Sequence, residues 1–600
     1  MGYFLKEAGL AAAVLLCGAA SVNAQQAATP TQSVAVKGYK NASPWFKAES
    51  QHFIVFSNTS NADVTQLLKN LEKLDHVLRI YTKDFQAGAV SQQKMTLYYH
   101  DRIGGFNDAV SGQPEEAVGL YNSCAGGVQG YGVHLERIAG LNNEQLATST
   151  LNNSLSYAFE AYARHFLYRY TDIRTPSSYI DGFAQYFSTI RFSDNQMSIG
   201  RVPPSVARYV YFVDKGRSHR LTYQDIFEPK EAKDPASSDE PAVRLEYQAK
   251  SWLLAHYMLS SNDNLPRRDK YLNLVHQEVP AGKALDEAFE LKGADIGDTM
   301  WRYRLKGIQV LQLEMPDLPS AQPSFTSLPE SSTDFLLADA GLRSCPDAKT
   351  GQALLRTVSQ HPGGVPNNDT ARLTVGRAHV DWGKAEDALP HLADAARKDA
   401  SSHEAAYLLG LANLRLAAQR KDAEAAPYLE AAATQLARAR VLNPRSPEAA
   451  YAAHQLGLRA AGPPDKQTLE AAVAAWRYGH EVNTYARSAA LSYAYLGRSA
   501  EADNALTVLA HNARDPEMAK WAKAWQARLG AGVTRADLAA EMRREPAQRG
   551  AFKEWTVAGE NLMQTVEYNA GIEDMGKYLE TMRLSNPMSE KTHFVAPSKK

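Results

Sequence analysis

"FEAYARHFLYRY" occupies residues 159–170, and "SYIDGFAQYF" follows at 178–187. The first stretch ends a helical pattern that starts near Asn142. Its aromatic residues Tyr157, Phe159, Tyr162, Phe166, Tyr168 and Tyr170 read as core. Glu160 and Arg164, four residues apart, share one helix face in the order that favours an ion pair. His165 lies roughly 140° around the helix from Glu160, so these two side chains do not converge. Asp181-Gly182 either caps the following helix or contributes a carboxylate to the same place.

Upstream, "HFIVFS" (52–57) and "KMTLYYH" (94–100) are β-branched and aromatic runs that predict strands. Between them Val64, Leu67, Leu68, Leu71, Leu74, Val77 and Leu78 form one stripe at helical spacing. The glycine-rich "GLYNSCAGGVQGYGVHL" (119–135) predicts turns around short strands. Helical patterns then dominate to about Lys306, interrupted by the acidic, proline-containing loop at 229–242. The first region is therefore expected to be α+β, a small sheet followed by helices.

"QLEMPDLPSAQPSFTSLPESS" (312–332) reads as a linker, and beyond it the composition shifts to Ala and Leu. Similarity recurs there at a period of about 34 residues. Gly376, Leu392 and Ala395 have counterparts in Gly410, Leu436 and Ala439, and again in Ala490 and Leu506. Small residues let two antiparallel helices approach, and large ones fill the seam. The pattern resembles the tetratricopeptide repeat and predicts an all-α helical solenoid.

The two opening segments, with "WFKAESQHFIVFSNTS" (45–60) and "EYQAKSWLLAHYML" (246–259), resemble a family of exported bacterial proteins. In that family a peptidase-like domain of gluzincin type precedes tetratricopeptide repeats. The resemblance covers about 45–310 and the repeats, and implies a zincin-like fold. Members that look active carry His-Glu-x-x-His on the central helix, where two histidines at i and i+4 bind zinc and the glutamate is the general base. An "EGxAEYF"-like segment completes the site. Alignment puts Glu160 at the first histidine, Ala161 at the base, Arg164 at the second histidine and Asp181 at the third ligand. Alanine accepts no proton, and a guanidinium stays charged. Zinc is expected to be absent, no catalytic or metal-binding residue is assigned, and Glu160, Arg164 and Asp181 are expected either as a salt-bridged substitute for the metal or, for the first two, as a solvated helix pair. His100-Asp101 and His134 could stand near the cleft.

The opening "MGYFLKEAGLAAAVLLCGAASVNAQQ" reads as a secretory signal, which predicts a periplasmic or secreted protein. Cleavage leaves Cys124 and Cys345, either a disulfide or two separate buried thiols. With 65 basic against 66 acidic residues the chain shows no basic footprint for nucleic acid, and no mature segment predicts stable membrane insertion. The expected organisation is a signal at 1–24, a linker at 25–44 and a degenerate peptidase-like domain at 45–310. A Pro/Ser-rich linker at 311–332 and repeats at 333–527 follow, then a helical segment at 528–585 and a flexible tail at 586–600. The expected function is non-catalytic: a pseudo-peptidase joined to a repeat scaffold that binds a peptide or protein partner. The alternative is a hydrolase of peptides or cell-envelope material using a non-standard site in the same cleft.

Overall fold

The strand signals come from residues that alternate between two buried faces. In a computed structural model of the chain, "HFIVFS" and "KMTLYYH" supply the parallel strands β2 (Phe53–Ser57) and β3 (Met95–His100), preceded by β1 (Ala42–Glu49). The described residues are 42–557, except 86–92, 102–116, 135–143, 194, 213–219, 228–234, 236–237, 239, 292–294, 513 and 545–551. The expected signal, most of the 25–44 linker, residues 558–585 and the tail lie outside them.

The glycine-rich segment forms the hairpin β4 (Ala117–Cys124) and β5 (Gly127–Val133). Two later segments join this sheet: β9 (Ser324–Pro329) pairs with β1, and β10 (Phe552–Val557) pairs with β4. The resulting order is β10-β4-β5-β3-β2-β1-β9. A second, three-stranded sheet combines β6 (Arg191–Phe192), β7 (Gln196–Ile199) and β8 (Leu311–Glu314).

Two expectations change here. The stretch read as a linker contains β8 and β9; Pro329 is tolerated because it ends an edge strand, which needs no amide on its outer side. Within the stretch read as helical, residues 552–557 form a strand, because Phe552, Trp555, Thr556 and Val557 favour extended backbone and β4 has a free edge to pair.

One face of the large sheet packs on α1 (Asn61–Tyr81) and α2 (Glu144–Tyr170). Further helices pack on α2 and on one another: α3 (Ser177–Ser188), α4 (Pro204–Phe212), α5 (Tyr223–Phe227), α6 (Pro241–Leu259), α7 (Asn264–His276), α8 (Ala281–Phe289) and α9 (Asp295–Leu305). Ser60 and Asp63 start α1 with a reciprocal capping box, and its expected stripe is fully buried. From Leu155 to Tyr170 every residue of α2 is buried, which makes it the central helix of this layer.

The other sheet face, with Tyr98, Leu120 and Tyr131, packs against α10 (Thr333–Arg343). That helix opens a solenoid of hairpins: α10 with α11 (Ala348–Ser359), α12 (Asp369–Trp382) with α13 (Ala385–Lys398), and α14 (His403–Ala418) with α15 (Asp422–Leu442). It continues as α16 (Pro447–Gly457) with α17 (Lys466–Tyr478) and α18 (Asn483–Tyr495) with α19 (Ser499–Ala510), then α20 (Pro516–Ala531) and α21 (Arg535–Met542). The small-to-large seam is visible: a Cβ on Gly376 would sit 2.3 Å from Leu392, and one on Gly410 2.6 Å from Leu436. Among the described residues no helix is long and apolar enough to cross a membrane.

The solenoid wraps the sheet rather than trailing from it. Cys124 at the end of β4 is joined to Cys345 after α10 by a disulfide, with Cα atoms 6.4 Å apart. The Tyr131 hydroxyl donates to the Ala340 carbonyl at 3.1 Å, Ser123 to Glu481 at 2.9 Å and Tyr485 to Ala125 at 3.2 Å. Arg169 of α2 pairs with Glu481, and both are buried. The inner helices are tied together by Arg343 and Arg377, each of which contacts both Asp339 and Glu404.

Two outcomes follow. Replacing Cys345 by serine should lower stability by roughly 2–4 kcal/mol, because the bridge closes a long loop in the unfolded chain; urea unfolding with and without the substitution measures it. Burial disfavours ionised Glu404, but Arg343 and Arg377 outweigh it and hold its pKa at about 2, below the ordinary 4.5. Because the folded pKa is depressed, this stabilisation is present above pH 4.5 and lost as pH falls towards 2. Allowing for partial exposure we expect about 2 kcal/mol, so Glu404→Gln should flatten the acid limb of a stability-versus-pH curve in that window.

Candidate functional site

Glu160, Ala161 and Arg164 lie at the buried middle of α2, and Asp181 lies inside α3 rather than at its cap, which is Pro176. Gly182 lets α3 press against α6: a Cβ there would stand 2.2 Å from the Ser251 carbonyl oxygen. That approach carries Asp181 towards α2 and places Tyr247 of α6 beside it.

Arg164 is the hub. Its Nη2 donates to Glu160 at 2.6 Å, and its Nη1 donates to Asp181 and, at 3.2 Å, to Glu554 of β10. Asp181 also accepts from Arg514, which precedes α20, and from the Tyr247 hydroxyl at 2.8 Å. Glu554 accepts from the Tyr168 hydroxyl at 2.9 Å and lies 3.7 Å from Nε of Arg514. Glu160, Arg164, Asp181 and Glu554 are each less than 10% exposed, at 7%, 5%, 3% and 8%. Glu160 and Arg164 are thus a buried pair in a network, not a solvated pair on a helix surface.

The electrostatics follow from three carboxylates facing two guanidiniums. Burial pushes the Glu160 carboxyl up; Arg164 opposes this, while Asp181 and Glu554 add to it, and the net direction is upward. Burial would push Asp181 up too, but Arg514 and Arg164 outweigh it and hold it below the usual range. Glu160 is therefore the carboxyl of the pair whose ionised form its surroundings disfavour.

Ala161 is packed in the apolar core and offers no base. His165 points away from the cluster: its ring packs on Tyr121, 5.6 Å between centroids, and burial pushes its pKa well down. His100 packs on Trp45 and His134 on Tyr99, at the ends of β3 and β5. The aromatic run of α2 is buried core. Sequence reasoning missed Tyr168, Tyr247, Arg514 and Glu554 as partners. Only the alternation in "FKEWTV" (552–557) carried a local signal, that of a strand.

Comparison with known proteins adds little. No protein-family model matches the chain, and no curated protein matches it. Among solved structures, a thermophilic tetratricopeptide-repeat protein of Thermus thermophilus is similar at 17% identity, over 33% of this chain and 94% of that one, with a TM-score of 0.25. The helical hairpins of the chain itself carry the tetratricopeptide-like reading of the solenoid.

What the arrangement can do chemically is restricted. Donors fill the space where the carboxylates converge, so their lone pairs are used by guanidinium and phenol hydrogens. Arg164→Met should cost about 3–5 kcal/mol, because it leaves buried carboxylates without their shared cation. Glu160→Gln should cost far less, since Arg164 keeps Asp181 and Glu554 as partners and an amide oxygen can still accept from it. Urea denaturation of the two variants checks the asymmetry.

Proposed function

We propose that this chain is a non-catalytic interaction protein, in which a peptidase-shaped domain with an ion cluster in place of a metal centre supports a repeat scaffold that binds a protein or peptide. The single observation that carries the reading is Arg164, whose guanidinium bridges Glu160, Asp181 and Glu554 where the resemblance would place zinc and its ligands. A fixed positive charge at that point repels a dication, and Ala161 leaves no base to activate water. The reading carries export with it, since the resembling proteins are exported and the first 24 residues have the pattern of a secretory signal.

The scaffold offers a place for a partner. A cavity of about 660 Å³ lies between the inner helices and the sheet, lined by Phe56, Tyr98 and Gln129 on one side and His403, Tyr407 and Glu448 on the other. Its size is in the range of ligand pockets. Among the described residues, Gln129, His403 and Glu481, which line it, each keep a buried polar atom without a hydrogen-bond partner: Nε2, Nε2 and Oε2.

Two measurements test the proposal. Dialysis against zinc followed by metal analysis should give far less than one zinc per chain, and stoichiometric zinc with zinc-dependent peptide hydrolysis would overturn the pseudo-enzyme reading. On a peptide array, Tyr407→Ala with Glu448→Lys should remove most of the binding seen with the unaltered chain; unchanged binding would show that the partner sits elsewhere.

A further inference from the structure

The inner helices of the solenoid repeat more than their packing seam. Asn368, Ser402 and Ser446 cap the N-termini of α12, α14 and α16 with their side chains. Counted from those caps, Tyr407 corresponds to Tyr451, Leu411 to Arg377 and Gln455, and Arg415 to Asp381 and Arg459. Within each helix these positions follow at intervals of four, so they share one face. They border a second space of about 240 Å³, which Ala125 and Gly126 line, whereas Gly127 and Gln129 line the larger cavity. The β4–β5 turn thus stands between the two.

Three features define what this second space accepts. Its walls are apolar, from Leu342, Trp382, Leu411, Leu414 and Tyr451. Its size lies just below that of drug-sized pockets, roughly 300–1,000 Å³, and suits one ring or a short alkyl body. The turn that bounds it is held by the Cys124–Cys345 disulfide and by the Tyr485 hydroxyl on Ala125, so this limit is fixed.

The third feature is charge. Arg377 is occupied by Asp339 and Glu404. Half-buried Arg415 and exposed Arg459 are not: among the described residues neither has an ion-pair partner. Packed helices stand roughly 8–10 Å apart, close enough for guanidiniums on α14 and just beyond α16 to meet on one anion. Asp381, the carboxylate that lines this space, stands on α12 and steers an anion to the opposite side.

We propose that this space binds a small organic anion, a carboxylate on an aromatic or aliphatic body. The body lies among Trp382, Leu411 and Tyr451, and Arg415 and Arg459 share the carboxylate. This goes beyond the peptide reading, which concerns the larger cavity and stands if this proposal fails.

The test uses the full chain, with phenylpropanoate and its neutral twin phenylpropanamide as probes in isothermal titration calorimetry. The acid should bind at one site per chain, at least tenfold more tightly than the amide. In Arg415→Gln with Arg459→Gln the acid should weaken at least tenfold while the amide is unchanged, which also reports that the variant is folded. Arg356→Gln, an exposed arginine outside the space, should leave both affinities as they were. Equal binding of acid and amide, no saturable binding of the acid, or full affinity in the double variant overturns the proposal. A peptide ending in phenylalanine that binds where phenylpropanoate does not would make the site a protein-docking groove, and overturns it too.

Discussion

A guanidinium that cannot lose its proton, placed in the middle of a buried helix, constrains everything around it. Arg164 presents donors in fixed directions, and in this buried site its two Nη groups meet three carboxylates, while among the described residues its Nε has no hydrogen-bond partner. Glu160 supplies one from the same helix. Asp181 arrives because Gly182 lets α3 lie against α6, and Glu554 arrives because β4 offers an edge. Helix packing, sheet topology and the placement of Arg514 are thus all read out at one side chain. A well-packed apolar residue can be as stable in such a place, but it would not dictate which three elements meet.

The local features were legible in the sequence because their physics is local. The stripe of α1, the strands β2 and β3 and the i, i+4 relation of Glu160 and Arg164 all express a backbone period. The small and large positions of the repeats express a helix-pair seam, and they recur. What could not be read is what depends on distance through space. Nothing in a chain with scattered arginines marks Arg514 as facing Asp181, and nothing about Cys124 and Cys345 announces a separation of 6.4 Å. The misreadings were of another kind. Four prolines between 312 and 332 outweighed the extended pattern that forms β9, although an edge position tolerates them. The short alternation of "FKEWTV" was submerged in a helical neighbourhood.

The inner helices of the solenoid illustrate how one surface can serve two purposes. Part of it is consumed by contacts to the sheet, through Ala340, Cys345 and Glu481. Between those contacts a cavity persists, walled on one side by side chains that a free-standing repeat array would lack. Whatever enters it meets a rigid floor of strands and a curved wall of helices, so its shape is set by both halves of the chain. The ion network of Asp339, Arg343, Arg377 and Glu404 stiffens the wall by joining three consecutive inner helices.

The origin of β10 has a consequence for how this protein comes into being. During synthesis the strands β1 to β5 and the helix α2 emerge early, yet the outer edge of β4 stays unpaired until residues 552–557 have left the ribosome. Over that interval the entire solenoid is made while the nascent sheet presents an open row of amides and carbonyls, a template for unwanted pairing with other chains. The last described strand is therefore the seal on the first-made layer. Closing that edge joins positions 390 residues apart in the chain, a pairing of high sequence separation.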